Sequence, residues 1–113
     1  MANSFVNKKV DLTTTSVTTL YTVPSATTAV IKSILVSEDS GNADTITVTI
    51  TDTTPAVFSL FKTKAVSANA TIELLTAPLV LQENEVLKVT AATANRLHVV
   101  LSAIQIKPRE VTT

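Results

Sequence analysis

Between Thr45 and Thr51 the chain alternates polar and apolar residues at every step. A β-strand sends successive side chains to opposite faces. The pattern therefore predicts a strand with Ile46, Val48 and Ile50 on a dry face and Thr45, Thr47, Thr49 and Thr51 on a wetter one. Every residue in the stretch is β-branched, which suits a pleated surface and disfavours helix. At a period of 3.6 the same residues would scatter around a helix axis.

The rest of the chain reads as strands and turns. Phe5 to Leu12 is a short edge strand or arm, whose Lys8-Lys9 pair discourages stray pairing. Val17 to Val23 is a strand with Val17, Thr19, Tyr21 and Val23 on one face, ended by Pro24. Ala29 to Ser37 differs, because large apolar residues fall on both faces: Ile31 and Leu35 on one, Val30, Ile34 and Val36 on the other. Glu38 to Asp44 is a turn cluster holding the single glycine, Gly41, where a positive φ is expected. It is expected to close a hairpin onto the Thr45–Thr51 strand. Further strands follow at Val57–Lys62, Thr71–Leu75, Leu79–Leu81, Val86–Thr90 and Arg96–Ile106. Short strands, frequent turns and no sustained helical period predict an all-β, antiparallel two-sheet β-sandwich of about eight strands, as a jelly roll or, alternatively, an immunoglobulin-like sandwich. Residues 1–113 form one domain on this reading, with a polar tail over 107–113.

Composition narrows the functions on offer. The formal net charge is zero, so no basic field draws the chain to nucleic acid or anionic lipid. The chain has no cysteine, which removes disulfides and thiolate metal sites. Mean hydropathy is +0.36, yet no apolar run approaches the roughly 18 residues of a membrane helix. The N-terminus lacks the apolar stretch of a signal peptide, so a cytoplasmic origin is expected.

Candidate chemistry is sparse. His98 is the only histidine and has no acid nearby in sequence; it reads as an interface or locally bonded histidine rather than a base or metal ligand. No serine lies in a Gly-x-Ser-x-Gly elbow, and one glycine cannot make a phosphate loop. Asp39, Asn42 and Asp44 around Gly41 suggest an oxygen-rich calcium loop, but the twelve-residue spacing and terminal glutamate are missing, and a solvated hairpin is the reading retained. Glu83 and Glu85 form a carboxylate pair in a turn with no aromatic-lined cleft to serve. With no tryptophan, one tyrosine and three phenylalanines, a stacking platform for sugars or bases is hard to build. The expectation is a protein without catalytic residues, cofactor or metal.

What stands out is surplus apolar surface. A small sandwich needs one inner face per sheet, whereas Ala29–Ser37, Val57–Phe61 and Leu97–Ile106 each offer two. Val30, Ile34 and Val36 on the first, and Val100, Ile104 and Ile106 on the last, are the candidate residues of a subunit interface.

Leu20-Tyr21-Thr22-Val23-Pro24 runs into Thr27–Ser37, and Glu85–Thr90 is followed by Arg96–Ser102. Together these stretches resemble small virion structural proteins of tailed bacteriophages, especially cyanophages, over roughly Asp11 to Ile106. The resemblance implies a small β-sandwich in the virion, made in the host cytoplasm, and carries no catalytic residue. A capsid decoration (cement) protein that stabilises the particle is the first expectation. A neck, tail or fibre component, including a host-glycan-binding module, is the alternative. The implied partners are further copies of the chain, as a trimer, and the major capsid or other virion proteins, with no nucleic acid or membrane.

Overall fold

The computed structural model describes residues 2–107, which form nine antiparallel strands in two sheets packed as a β-sandwich. They are β1 (Ala2–Asp11), β2 (Thr18–Thr22), β3 (Thr28–Glu38), β4 (Asp44–Thr51), β5 (Val57–Val66), β6 (Thr71–Glu73), β7 (Leu79–Leu81), β8 (Val86–Ala91) and β9 (Leu97–Lys107). One sheet runs β1-β9-β3, with β7 and β6 sharing the far side of β3. The other runs β2-β8-β4-β5. The tail expected over 107–113 lies, beyond Lys107, outside the described residues.

The β4 alternation behaves as its pattern requires. Ile46 and Val48 are wholly buried, Ile50 is buried at 9% exposure, and the four threonines are half-buried on the other face. Opposing them in the core stand Ile31, Ile34 and Val36 of β3 and Val99 and Leu101 of β9. A single hydrogen bond, from Gln105 Nε2 to the Tyr21 hydroxyl at 2.7 Å, ties the sheets across one end of this core.

Besides two register shifts between β4 and β5, bulges in β3 and β2 change which side chains face inward. In β3 the register against β9 shifts between Ile31 and Ser33, so Lys32 is an extra residue in the strand. An inserted residue reverses the parity of everything after it. Ala29, Ile31, Ile34, Val36 and Glu38 consequently all face the core, and Val30, Ser33, Leu35 and Ser37 face out. This corrects two of the interface residues expected from strict alternation: Ile34 and Val36 are 0% exposed and belong to the chain's own core. The apparent double-sided character of β3 is a single apolar face read across a bulge. In β2 a shift between Thr19 and Tyr21 buries both Leu20 and Tyr21, while Val17, expected to share a face with Tyr21, is 65% exposed.

The segment after β3 is not a hairpin. β3 and β4 lie in different sheets, so Asp39–Ala43 carries the chain across the sandwich. Gly41 has the positive φ expected of it, +82°. Glu38, 2% exposed, supplies the anchor: its carboxylate accepts the Ser40 N–H at 2.8 Å, the Ser40 hydroxyl, the Gly41 N–H at 3.0 Å and the Asn69 N–H at 2.9 Å. One buried carboxylate thereby joins the β3–β4 crossover to the β5–β6 loop. Burial opposes its ionisation, but the hydrogen bonds from Ser40, Asn69 and Gly41 outweigh that cost and lower its pKa to about 2.

Candidate functional site

Cross-strand partners in an antiparallel sheet point to the same side. The register of the five-stranded sheet therefore sets out its solvent face row by row. Phe5 of β1 pairs with Ile104 of β9, Ile104 with Val30 of β3, and Val30 with Val80 of β7. These four residues make a continuous apolar row across four strands, with Phe5 86% and Val80 52% exposed. A second row runs Lys9, Val100, Leu35, Glu73 through β1, β9, β3 and β6. Its middle is apolar, with Leu35 39% exposed, and its ends carry opposite charges. Between the two rows lie Asn7, Ser102 and Ser33.

Of the residues expected at an interface, Val30, Val100, Ile104 and Ile106 lie on this outer face, half-buried by their neighbours. Ile106 stands beside Asn3 and Thr28 at the end of the sheet. Phe5, Leu35 and Val80 were not singled out by the sequence. Phe5 and Val80 each carried a local signal, being apolar residues that alternate with inward-facing neighbours, but only the pairing brings them into line.

Glu73 is placed by the break between β7 and β6. The two short strands pair with β3 at Ala29–Ile31 and Leu35–Ser37 and leave the middle of its edge open. The Glu73 carboxylate fills the gap, accepting the Ile34 N–H at 2.8 Å, the Leu75 N–H at 3.3 Å and the Ser33 hydroxyl. An edge donor that would otherwise be free is satisfied without a full-length strand.

A third row contains Asp11, His98 and Ser37. His98 has two acid neighbours that its sequence surroundings did not reveal. Its Nε2 lies 3.1 Å from Asp11 Oδ1 on β1, and its Nδ1 lies 3.4 Å from Asp39 Oδ2 in the β3–β4 crossover. The carboxylates sit on opposite sides of the ring. A neutral imidazole has one N–H to donate and an imidazolium has two, so both contacts become charge-assisted only in the cation. The arrangement fastens the edge strand to the loop and leaves no common point for a shared ligand. Among the described residues no group of three or more His, Cys, Asp or Glu side chains is placed to hold a metal ion.

The remaining acidic candidates are occupied by turns. In the loop weighed against a calcium site, Asp44 accepts the Thr93 N–H at 3.1 Å, Asp39 faces His98, and Glu38 holds its four donors. Arg96 closes the same end of the sandwich, donating from Nη1 to the Ala43 carbonyl at 2.9 Å. Glu83 accepts the Ala26 N–H and Glu85 the Gln82 N–H, both at 2.6 Å, so each fastens a different backbone segment. Compared with protein-family models, curated proteins and solved structures, the chain matches none.

Proposed function

We propose that the chain is a non-enzymatic structural protein of a tailed-phage virion, most specifically a capsid decoration protein that assembles with further copies of itself and stabilises the particle. The observation that carries this reading is the Phe5–Ile104–Val30–Val80 row, an apolar stripe held on the open face of a rigid sheet. Soluble monomers seldom keep large contiguous apolar patches in water, and such patches are characteristic of association surfaces. Among the described residues the acidic and histidine side chains are engaged in fastening the chain's own loops and strands, which suits a mechanical role.

The strand order supports the jelly-roll form of the sandwich. β1-β9-β3-β6 faces β2-β8-β4-β5, and most connections pass from one sheet to the other, as in paired Greek keys. The resemblance of Asp11 to Ile106 to small phage virion proteins agrees with that form. The partners on this reading are other copies of the chain and the major capsid protein, met after synthesis in the host cytoplasm.

The test is location. Antibody raised against the purified protein is applied to purified particles and viewed by electron microscopy. Label distributed over the head is the expected result. Label confined to neck, tail or fibre moves the protein to those structures, and its absence from washed particles rules out a virion role.

A further inference from the structure

The outer face of the β1-β9-β3 sheet is self-complementary under a twofold rotation. We infer that two copies of the chain pack this face against each other about a twofold axis parallel to the strands, midway between β9 and β3. The inference rests on the reading of this face as a contact between copies.

The register dictates what meets what. Rotation about such an axis exchanges β1 with β6 and β7, and β9 with β3, while leaving each residue at its level along the strands. In the apolar row Phe5 then faces the other copy's Val80, and Ile104 faces its Val30. In the second row Val100 faces Leu35, and Lys9 faces Glu73. Because the contact is isologous, each apposition occurs twice, giving two Lys–Glu pairs that flank an apolar centre. Polar edges around an apolar middle are the usual anatomy of an interface. Lys32 lies between the rows; its four-carbon stem lets the ammonium lean into the polar Asn7–Ser102–Ser33 level.

Charge complementarity selects this axis. Lys9 and Glu73 stand three strand spacings apart in one chain, about 14 Å, too far to neutralise each other. A twofold axis perpendicular to the strands would set Lys9 over Phe5 and Glu73 over Val80, leaving four charges against apolar groups. The face is also large enough. With strands about 4.8 Å apart and about 3.4 Å per residue, β1 (10 residues), β9 and β3 (11 each) and the three-residue β6 and β7 cover roughly 600 Å² on each copy, at the lower end of the ~600–1,000 Å² per partner of stable interfaces.

Sedimentation velocity of the full chain across dilution, on the wild type and on Lys9→Glu and Glu73→Lys, tests the arrangement. The wild type is expected to be a dimer. Each single variant places like charges together and weakens self-association by about tenfold or more. Mixing the two variants restores the dimer as a heterodimer, since each then presents the opposite charge to the other at both ends. Because Glu73→Lys also removes the acceptor of the Ile34 N–H, its melting curve is taken first. If it does not fold, Phe5→Asp, at an 86% exposed site, replaces it and is expected to be monomeric with an unchanged melt. A wild-type monomer, a closed trimer as the family resemblance implies, or no heterodimer from folded variants overturns the twofold contact. A trimer that labels the virion head leaves the proposed function standing. A dimer absent from particles overturns the function and leaves the contact.

Discussion

The carboxylate of Glu38 accepts the backbone N–H of Asn69 at 2.9 Å, and so links the end of β3 to a loop 31 residues further along the chain. Glu38 also organises its own turn through Ser40 and Gly41. Its ionised form is the one that makes these bonds. A carboxyl whose pKa is lowered on folding contributes stability that is complete above its unfolded value, 4.5, and is lost as pH falls through its folded value of about 2. Thermal melts between pH 6 and pH 2 are therefore expected to show a falling melting temperature across that window in the wild type. Glu38→Gln is expected to melt lower at pH 6 and to have a shallower slope, the remainder coming from groups such as Asp52, whose pKa is also lowered by hydrogen bonds from Thr54 and Ala56. Parallel curves for the two proteins would remove Glu38 from the account.

Two residues of β3 on either side of Lys32 are expected to differ sharply in cost. Ile34 is wholly buried, and Ile34→Ala is predicted to destabilise by about 2–5 kcal/mol through lost burial and a cavity. Val30 is half-buried on the outer face, and Val30→Ala is predicted to cost under about 1 kcal/mol in the isolated chain. Urea denaturation at low protein concentration measures both. Equal costs would contradict the bulge at Lys32.

Deletion of Lys32 tests that bulge directly. Without the extra residue the pairing with β9 runs uninterrupted from Ile31 to Ser33 and Ile34, so regular alternation keeps Ala29, Ile31, Ile34 and Val36 all on the core face. The deletion is therefore predicted to keep a single cooperative unfolding transition in calorimetry. Lys32→Ala keeps the chain length and is expected to melt within a few degrees of the wild type. A deletion variant that no longer unfolds cooperatively would contradict the bulge at Lys32.

His98→Ala removes the bridge from Asp11 to Asp39 without touching the core. All three side chains are substantially exposed, so the stability cost is predicted at about 1 kcal/mol or less. The local effect is larger: amide exchange near Asp11 and Asp39 is expected to quicken, while that of Val48 and Val99 stays slow. Uniform quickening across both sheets would make His98 a core residue instead.

Strand identity was legible because it is a local property. The Thr45–Thr51 alternation is enough to place Ile46, Val48 and Ile50 inside, and β-branched residues between turn signals mark most of the other strands. Gly41 at a positive φ is likewise a local demand of a turn. Sheet membership is a different matter. Glu38–Asp44 has the composition of a hairpin turn, but only packing in three dimensions decides that β3 and β4 lie in opposite sheets. Face parity is also decided at a distance: the extra residue at Lys32 exists only relative to its partner strand, so Ile34 and Val36 looked like surface and are core. The outer face is the product of that pairing. Phe5, Ile104, Val30 and Val80 are spread over most of the chain and become one row through hydrogen-bond register alone, just as Asp11 and Asp39 meet His98 only after folding. Alternation acts over neighbouring residues and survives in the sequence, whereas register and sheet order are settled by long-range pairing.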